Sequence, residues 1–247
     1  MKQDNEIYTL YCLPSAGSSA SMYHPWQNLA PTHFRIKAID YSGHGSRITE
    51  ALIQHPGNLI NDIADTILAT HDQTKDIVLF GHSLGAGLLP FVAQKIQKES
   101  TSQHIALMVI SGRGYRSKTR ATQHELDDQN ALLNFLQRYE GIPAALLTNQ
   151  EALDFFFPII KNDILLNNAL LRLHSEMTIT TTPLLVFSGA EDRNVTLETL
   201  NEWRHLTNQW RGVEFFEGGH FYLSSTKNIS AMLKSILTHL QRPNYTN

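Results

Sequence analysis

Short apolar runs alternate with amphipathic segments along the chain, and this alternation predicts the fold. Six short runs are apolar, are bounded by turn-forming residues and are predicted as strands: Ile7–Leu13, Phe34–Asp40, Asp76–Phe80, Ile105–Ser111, Leu184–Gly189 and Val213–Glu217. Four segments have apolar residues at helical spacing and are predicted as helices: Leu59–Ala69, Leu84–Gln97, Leu197–Leu206 and Ile229–Leu240. Such alternation is typical of an α/β fold, a mostly parallel sheet with helices on both faces.

The stretch 113–180 interrupts this alternation. It is too long for a single crossover and contains no convincing strand, whereas Leu126–Tyr139 has helical apolar spacing. Thr148 and Glu151 have the spacing of a capping box at the head of a second helix. We therefore predict one domain over residues 1–247, in which this stretch is a helical lid insertion over the strand ends. Its many Phe and Leu residues fit either an apolar substrate channel or ordinary packing on the body.

A Gly-x-Ser-x-Gly turn follows the third predicted strand directly. The apolar run Ile77–Phe80 leads into Gly81, and the sequence from Leu84 onward is helical in pattern. A sharp strand-turn-helix corner lifts the Ser83 hydroxyl out of the sheet, and the two glycines remove side chains where the strand and helix backbones crowd together. Ser83 is the candidate nucleophile.

A serine nucleophile requires a general base, and His220 is the best placed of the 12 histidines. It follows the last predicted strand through Gly218-Gly219, a corner that can hold an imidazole over the sheet. His82 lies inside the turn and is interpreted as a packing residue. Nine others lie in polar, helical or loop contexts and are predicted at the surface: His24, His33, His55, His71, His104, His124, His174, His205 and His239.

The acid that orients this base should follow a strand between the serine and the histidine, the order found in α/β-hydrolases. Leu184–Phe187 is such a strand, and Asp192 lies beyond its glycine turn, just before the next helix. Glu191 is the alternative, and either residue could instead be a helix-capping or turn-forming acid. Four acids of the insertion are interpreted as solvated helix charges: Asp127, Asp128, Asp154 and Asp163.

Two backbone N–H groups should face the oxyanion that forms during acyl transfer. One is predicted to come from Leu84, the residue after the nucleophile. The other should come from the small-residue loop after the first strand, where we assign Ala16, with Ser15 as the alternative.

Composition and charge restrict the class of function. The net charge of −3 gives no reason to propose nucleic acid as a partner. Cys12 is the single cysteine, so no intrachain disulfide can form, which suits a reducing cytoplasm. The polar start Met1–Glu6 predicts no signal peptide, and no apolar run reaches the ~18 residues of a membrane span. No motif predicts a metal site, and the turn Gly43–Gly45 lacks the ending of a phosphate loop.

Five blocks of the sequence resemble one known family, the type II thioesterases of nonribosomal peptide and polyketide synthase systems. In the family's order, they are Leu10–Trp26, Gly81–Ala86, Gly141–Pro143, Ser188–Asp192 and Gly218–Phe221. The first block is the most specific because it is similar to the family's Pro-x-Ala-Gly-Gly segment, although Ser18 replaces the second glycine. The family's Pro-Gly-Arg-Gly segment is replaced by Ser42–Arg47, which is typical of α/β-hydrolases more widely.

The resemblance implies an α/β-hydrolase fold with the triad Ser83, Asp192 and His220, and an oxyanion hole formed by Ala16 and Leu84. It also implies that the enzyme hydrolyses acyl thioesters on the phosphopantetheine arm of acyl or peptidyl carrier proteins and needs no cofactor of its own. We expect a monomer that meets the carrier transiently. The alternative is a carboxylesterase or lipase-like hydrolase of free oxygen esters. A ligand-binding protein without activity would require a missing triad member.

Carrier proteins are usually acidic, so a basic docking surface is expected near the active-site edge. Four basic residues follow the predicted strand that ends at Ser111: Arg113, Arg116, Lys118 and Arg120. This cluster fits either a carrier-docking surface or an ordinary solvated loop.

Overall fold

Six strands form a single sheet in the computed structural model, which describes residues 8–100, 102–115, 121–138, 149–173 and 177–241. The strands are β1 (Tyr8–Leu13), β2 (Phe34–Ala38), β3 (Asp76–His82), β4 (Ile105–Ser111), β5 (Leu184–Gly189) and β6 (Trp210–Phe216). Their spatial order is β2-β1-β3-β4-β5-β6, and every neighbouring pair is parallel. The predicted α/β architecture with a parallel sheet is confirmed.

Helices cover both faces of this sheet. Those described are α1 (His24–Leu29), α2 (Pro56–Thr70), α3 (Leu84–Glu99), α4 (Gln123–Asp127), α5 (Gln129–Gln137), α6 (Gln150–Leu173), α7 (Leu197–Asn201) and α8 (Thr226–Leu240). The predicted helix Leu197–Leu206 consists of α7 and a following 3₁₀ turn, Glu202–Leu206.

The alternation of side chains along β3 explains the two cores. Ile77 and Leu79 pack on one face with α2 and α3, whereas Val78 and Phe80 pack on the other face with α1 and α8. All four side chains are fully buried. A central parallel strand has no solvent face, so its sequence is a continuous apolar run instead of an alternating one.

The carboxyl ends of the strands meet at one edge of the sheet. Leu13 of β1 lies beside Gly81 of β3, and Gly189 of β5 lies beside Phe216 of β6. The loops that follow β1, β3, β5 and β6 therefore leave the sheet at the same edge. In open parallel sheets this edge is where ligands and catalytic side chains gather.

Helices α4, α5 and α6 lie between β4 and β5, inside the predicted insertion. The predicted helix Leu126–Tyr139 is divided at Asp128, whose carboxylate accepts a hydrogen bond from the Ala131 N–H and caps α5. A third cluster joins the insertion to the body, and it includes Leu132, Phe135 and Ile160, with Ala16 packed against it. The predicted capping residue Thr148 lies outside the described residues, as does the block Gly141–Pro143.

Within the described part of the chain, no helix combines the length and the apolar character needed to cross a bilayer.

Candidate active site

Ser83 stands at a strained corner between β3 and α3. Its φ of 53° and ψ of −105° make it the one non-glycine residue with positive φ in the described ranges. Such backbone conformations cost roughly 1–3 kcal/mol and persist only where the surrounding structure enforces them. Two hydrogen bonds hold the corner: the Ser83 N–H donates to the Ser111 carbonyl (2.9 Å), and the Gly87 N–H donates to the Ser83 carbonyl (3.2 Å).

The glycines on either side of Ser83 allow the backbones to approach closely. A Cβ at Gly81 would lie 2.5 Å from the Gly85 carbonyl carbon, and a Cβ at Gly85 would overlap the Leu13 carbonyl oxygen. Both positions therefore require glycine for steric reasons. The spacing Gly-x-Ser-x-Gly thus reflects contacts between the strand, the helix and the loop after β1.

The loop after β1 is fixed beside the N-terminus of α3. The Pro14 carbonyl accepts hydrogen bonds from the Gly85 N–H (3.1 Å) and from the Tyr41 hydroxyl (2.8 Å). Further along, the Ser18 N–H donates to the Ser15 carbonyl (3.1 Å), so Ala16 lies within a tight turn. These bonds place the loop carrying Ala16 against the helix that begins at Leu84.

His220 and Asp192 form a buried pair at the same sheet edge. His220 Nδ1 lies 2.7 Å from Asp192 Oδ2, and the two residues are 4% and 7% exposed. Burial favours a higher pKa for Asp192, but its hydrogen bonds to His220 and to Asn194, together with the charge of His220, lower the pKa below the ordinary value. Asp192 is therefore ionised at neutral pH and accepts a hydrogen bond from the N–H at Nδ1 of His220.

Glu191 does not share this position. Its side chain is exposed, and its carboxylate accepts a hydrogen bond from the Gly218 N–H. The Glu191 N–H also donates to the Gly218 carbonyl (3.0 Å). Glu191 therefore ties together the two loops that carry Asp192 and His220.

His82, the residue before Ser83 in the Gly81–Gly85 turn (the nucleophile elbow), packs against His220. The rings of His82 and His220 are 4.9 Å apart between centroids, and a Cβ at Gly112 would lie within 3.3 Å of both rings. His82 Nδ1 is 2.9 Å from Ser111 Oγ, which is 2.6 Å from the Tyr222 hydroxyl. Burial and the nearby His220 lower the pKa of His82 well below its ordinary value, so its ring stays neutral. The immediate neighbour of Ser83 thus contacts His220 without adding a charge.

Asp163 was expected as a solvated charge on the insertion, and this expectation was wrong. The side chain is only 1% exposed because the face of α6 that carries it packs on the body. Its Oδ2 atom accepts hydrogen bonds from the Gly17 N–H (2.8 Å) and from His44 Nε2 (3.0 Å). Nothing in the local sequence pattern indicates this pairing, since the helical spacing around Asp163 is compatible with either exposure or burial.

Arg113 requires a second correction. It is 5% exposed, so it does not form part of an accessible docking surface. The guanidinium Nη1 donates to the Ser83 carbonyl (3.3 Å) and to Asn167 Oδ1 (2.5 Å), and the Arg113 carbonyl accepts the Trp203 indole N–H (2.7 Å). The other three residues of the proposed docking cluster lie outside the described residues: Arg116, Lys118 and Arg120.

Two histidines expected at the surface are also buried. His71 Nε2 lies 2.9 Å from the Lys75 carbonyl, and His239 Nε2 lies 2.8 Å from Glu214 Oε1. Polar sequence context misled the prediction because one ring nitrogen of each histidine meets an acceptor of the folded protein, which reduces the cost of burial. Across the described ranges, no cluster of three or more His, Cys, Asp or Glu side chains could hold a metal ion.

Several known proteins are similar to this chain. A family model described as a thioesterase domain matches residues 8–240. The chain is 29% identical over 223 residues to a probable cadicidin biosynthesis thioesterase of Streptomyces griseus, covering 87% of this chain and 58% of that protein's length. It is 26% identical over 223 residues to thioesterase PikA5 of Streptomyces venezuelae, covering 89% of this chain and 77% of the relative.

One solved structure extends the similarity to the whole fold. YbtT, described as a type II thioesterase from the yersiniabactin NRPS/PKS biosynthetic pathway, superposes with a TM-score of 0.81 at 22% identity. The superposition covers 96% of this chain and 94% of YbtT. At this identity the likeness establishes a shared fold.

Proposed function

Since this chain belongs to the thioesterase family, whose model covers nearly all of the described residues, we propose that it is a serine hydrolase that cleaves acyl thioesters. The single observation that carries the proposal is the buried His220–Asp192 pair, held by the loops after β5 and β6 beside the strained Ser83 corner. An imidazole oriented by a carboxylate and placed at a nucleophile elbow is the arrangement that acyl transfer requires.

Each residue of the proposed triad has one role. As Ser83 Oγ attacks the thioester carbonyl carbon, His220 takes the hydroxyl proton at Nε2. Asp192 keeps the other ring proton on Nδ1 and stabilises the imidazolium. When the tetrahedral intermediate collapses, the carbon–sulfur bond breaks and the leaving thiolate receives the proton from His220.

The second half of the reaction repeats these proton transfers with water. His220 removes a proton from water, the hydroxide attacks the acyl carbon, and the ester bond to Ser83 Oγ breaks as His220 returns the proton to the serine. In both halves the oxyanion lies between two backbone donors, the N–H groups of Leu84 and Ala16. The fixation of the Ala16 loop against α3 supports this assignment.

We assign the substrate to the class of acyl groups carried on the phosphopantetheine arm of acyl or peptidyl carrier proteins. The cadicidin relative and YbtT are both thioesterases of biosynthetic pathways, which supports this class. The proposed enzyme acts as a cytoplasmic monomer without a cofactor, and the insertion gates access of the arm to Ser83. Basic residues outside the described ranges remain candidates for carrier docking: Arg116, Lys118 and Arg120.

Intact-mass analysis of acylated carrier proteins tests the proposal. Acetyl-, butyryl-, octanoyl- and aminoacyl-carrier proteins would be incubated with the wild-type enzyme and with Ser83→Ala, and the loss of the acyl mass followed over time. We expect hydrolysis of at least one carrier thioester by the wild type and none above background by Ser83→Ala. A higher turnover on matched free oxygen esters than on every thioester would instead identify a carboxylesterase. Equal activity of Ser83→Ala and the wild type would reject serine catalysis altogether.

A further inference from the structure

A single face of α6 reaches both backbone segments of the proposed oxyanion hole, one directly and the other through Arg113. Asp163 Oδ2 accepts the Gly17 N–H at 2.8 Å, and Gly17 directly follows Ala16. One turn later on the same helix, Asn167 Oδ1 accepts a hydrogen bond from Arg113, which also donates to the Ser83 carbonyl. Residues four apart on a helix share a face, so the two contacts are made by the same surface of α6.

Contacts with the body and a bond within the loop fix the preceding peptides, including the Ser15–Ala16 peptide that carries the Ala16 N–H, and Asp163 fixes the next peptide. The Pro14 carbonyl is fixed by Gly85 and Tyr41, and the Ser15 carbonyl is fixed by the Ser18 N–H. Of the hydrogen bonds described, the one that orients the Ala16–Gly17 peptide comes from Asp163. The side chain of Ala16 also packs against both the sheet core and the cluster of the insertion.

His44 accounts for the buried charge of Asp163. His44 Nδ1 lies 3.1 Å from the Ser42 carbonyl oxygen, and Nε2 lies 3.0 Å from Asp163 Oδ2. Both oxygens are acceptors when Asp163 is ionised, so both ring nitrogens carry protons and His44 is an imidazolium. A lone carboxylate near a forming oxyanion would repel it, whereas this pair is neutral overall.

We propose that Asp163 and Asn167 are positioning residues that hold the two halves of the oxyanion hole in register from the insertion. Asp163, neutralised by His44, orients the peptide after Ala16, and Asn167 acts through Arg113 on the carbonyl of Ser83. Neither side chain contacts the reacting atoms. The inference rests on the proposed function, because it requires that Ala16 and Leu84 bind an oxyanion. It means that the enzyme is active only when α6 is packed on the body of the protein.

Steady-state kinetics on octanoyl-N-acetylcysteamine, a small free thioester that needs no carrier docking, tests the proposal. We expect Asp163→Ala to lower kcat by about 100-fold while KM changes by less than about threefold, since a misplaced oxyanion donor affects the transition state more than substrate binding. Asp163→Asn retains an oxygen acceptor for the Gly17 N–H. Its kcat should therefore be at least about tenfold higher than that of Asp163→Ala. Asn167→Ala should lower kcat by about tenfold.

Asp154→Ala is the matched control, because Asp154 is an exposed carboxylate on the same helix. It should retain kcat within about twofold. The folded fraction of every variant would be measured by circular dichroism, and kcat would be expressed per folded enzyme. An unchanged kcat in folded Asp163→Ala, or no recovery in Asp163→Asn, would overturn the inference. Ser83→Ala is measured in parallel: if it were as active as the wild type, the proposed function itself would fail, which is a different outcome.

Discussion

Two buried His–Asp pairs in the described part of the molecule have similar geometry but use the imidazole ring differently. In the first, His220 Nδ1 lies 2.7 Å from Asp192, and in the second, His44 Nε2 lies 3.0 Å from Asp163. The first pair is built by loops that leave adjacent strands β5 and β6. The second joins the loop after β2 to the middle of α6, in the insertion. Residue type and distance therefore do not separate the proposed catalytic pair from the pair that contains Asp163.

The surroundings of the second ring nitrogen, the one that does not contact the aspartate, distinguish the His44 pair from the His220 pair. In His44, Nδ1 faces the Ser42 carbonyl, an acceptor that holds a proton on that nitrogen. With both nitrogens committed to acceptors, His44 cannot exchange a proton without losing a hydrogen bond. His220 uses Nδ1 for Asp192, and its ring lies beside His82, the residue that precedes Ser83. A buried His–Asp pair whose second nitrogen also meets a backbone acceptor, as in His44, is thus a poor candidate for proton transfer.

Replacement of each histidine by glutamine should separate the pairs most clearly. We expect His220→Gln to lower kcat by on the order of 10⁴-fold or more, because no group remains to accept the Ser83 proton. His44→Gln should lower kcat only about tenfold, because the amide can still donate to Asp163 while the neutralising charge is lost. Single-turnover hydrolysis of octanoyl-N-acetylcysteamine measures both. Equal losses in the two variants would contradict the division of roles.

Replacement of each of the two neighbouring acids after β5, Asp192 and Glu191, should give the next largest difference in kcat. Asp192→Asn removes the charge that stabilises the imidazolium and favours the wrong tautomer, so we expect kcat to fall by about 10³- to 10⁴-fold. Glu191→Gln should stay within about threefold of the wild type, since its carboxylate contacts the Gly218 backbone and not the imidazole. The same single-turnover assay applies. If Glu191→Gln were the more damaging variant, the acid would be Glu191.

Much of the fold could be predicted because its signals are local. A buried parallel strand is an apolar run, and the runs that predicted β3, β4 and β5 lie within two residues of the observed bounds. Ser83, Asp192 and His220 were also accessible to sequence reasoning. Each follows a strand of a parallel sheet, and the carboxyl ends of such strands share one edge.

Asp163 and Arg113 were not predictable in this way. Asp163 lies in the middle of a helix, and its partner His44 is 119 residues away in sequence. Whether its face is buried depends on how α6 packs over the loop after β1, which no local pattern specifies. Arg113 follows a strand end, where charges are usually solvated. It is buried because the Ser83 carbonyl and Asn167 satisfy part of its guanidinium.

The pH dependence of stability should reveal the second pair even when activity is not measured. Burial favours a lower pKa for His44, but its hydrogen bond to Asp163, the charge of Asp163, the Ser42 carbonyl and the charge of Asp40 raise the pKa above its ordinary value of 6.5. Tyr41 also packs against the ring, edge to face. Because the raised pKa means that the folded state binds the proton more tightly, the stabilisation is complete below about pH 6.5. It is lost as the pH rises through the higher pKa of the folded protein.

Urea unfolding of the wild type and of His44→Gln from pH 5.5 to pH 9 measures this effect. We expect the wild type to be more stable by about 1.5–3 kcal/mol at the acidic end, the usual contribution of a hydrogen bond to a charged group. The difference should shrink toward the alkaline end, because only the wild type loses a proton at this site. His205→Gln provides the control, since His205 is an exposed histidine and should give a difference close to zero throughout. A stability difference that is constant with pH would mean that His44 is not an imidazolium in the folded protein. The second pair would then hold the Ala16 loop by hydrogen bonding alone, with the carboxylate of Asp163 left uncompensated beside the oxyanion hole.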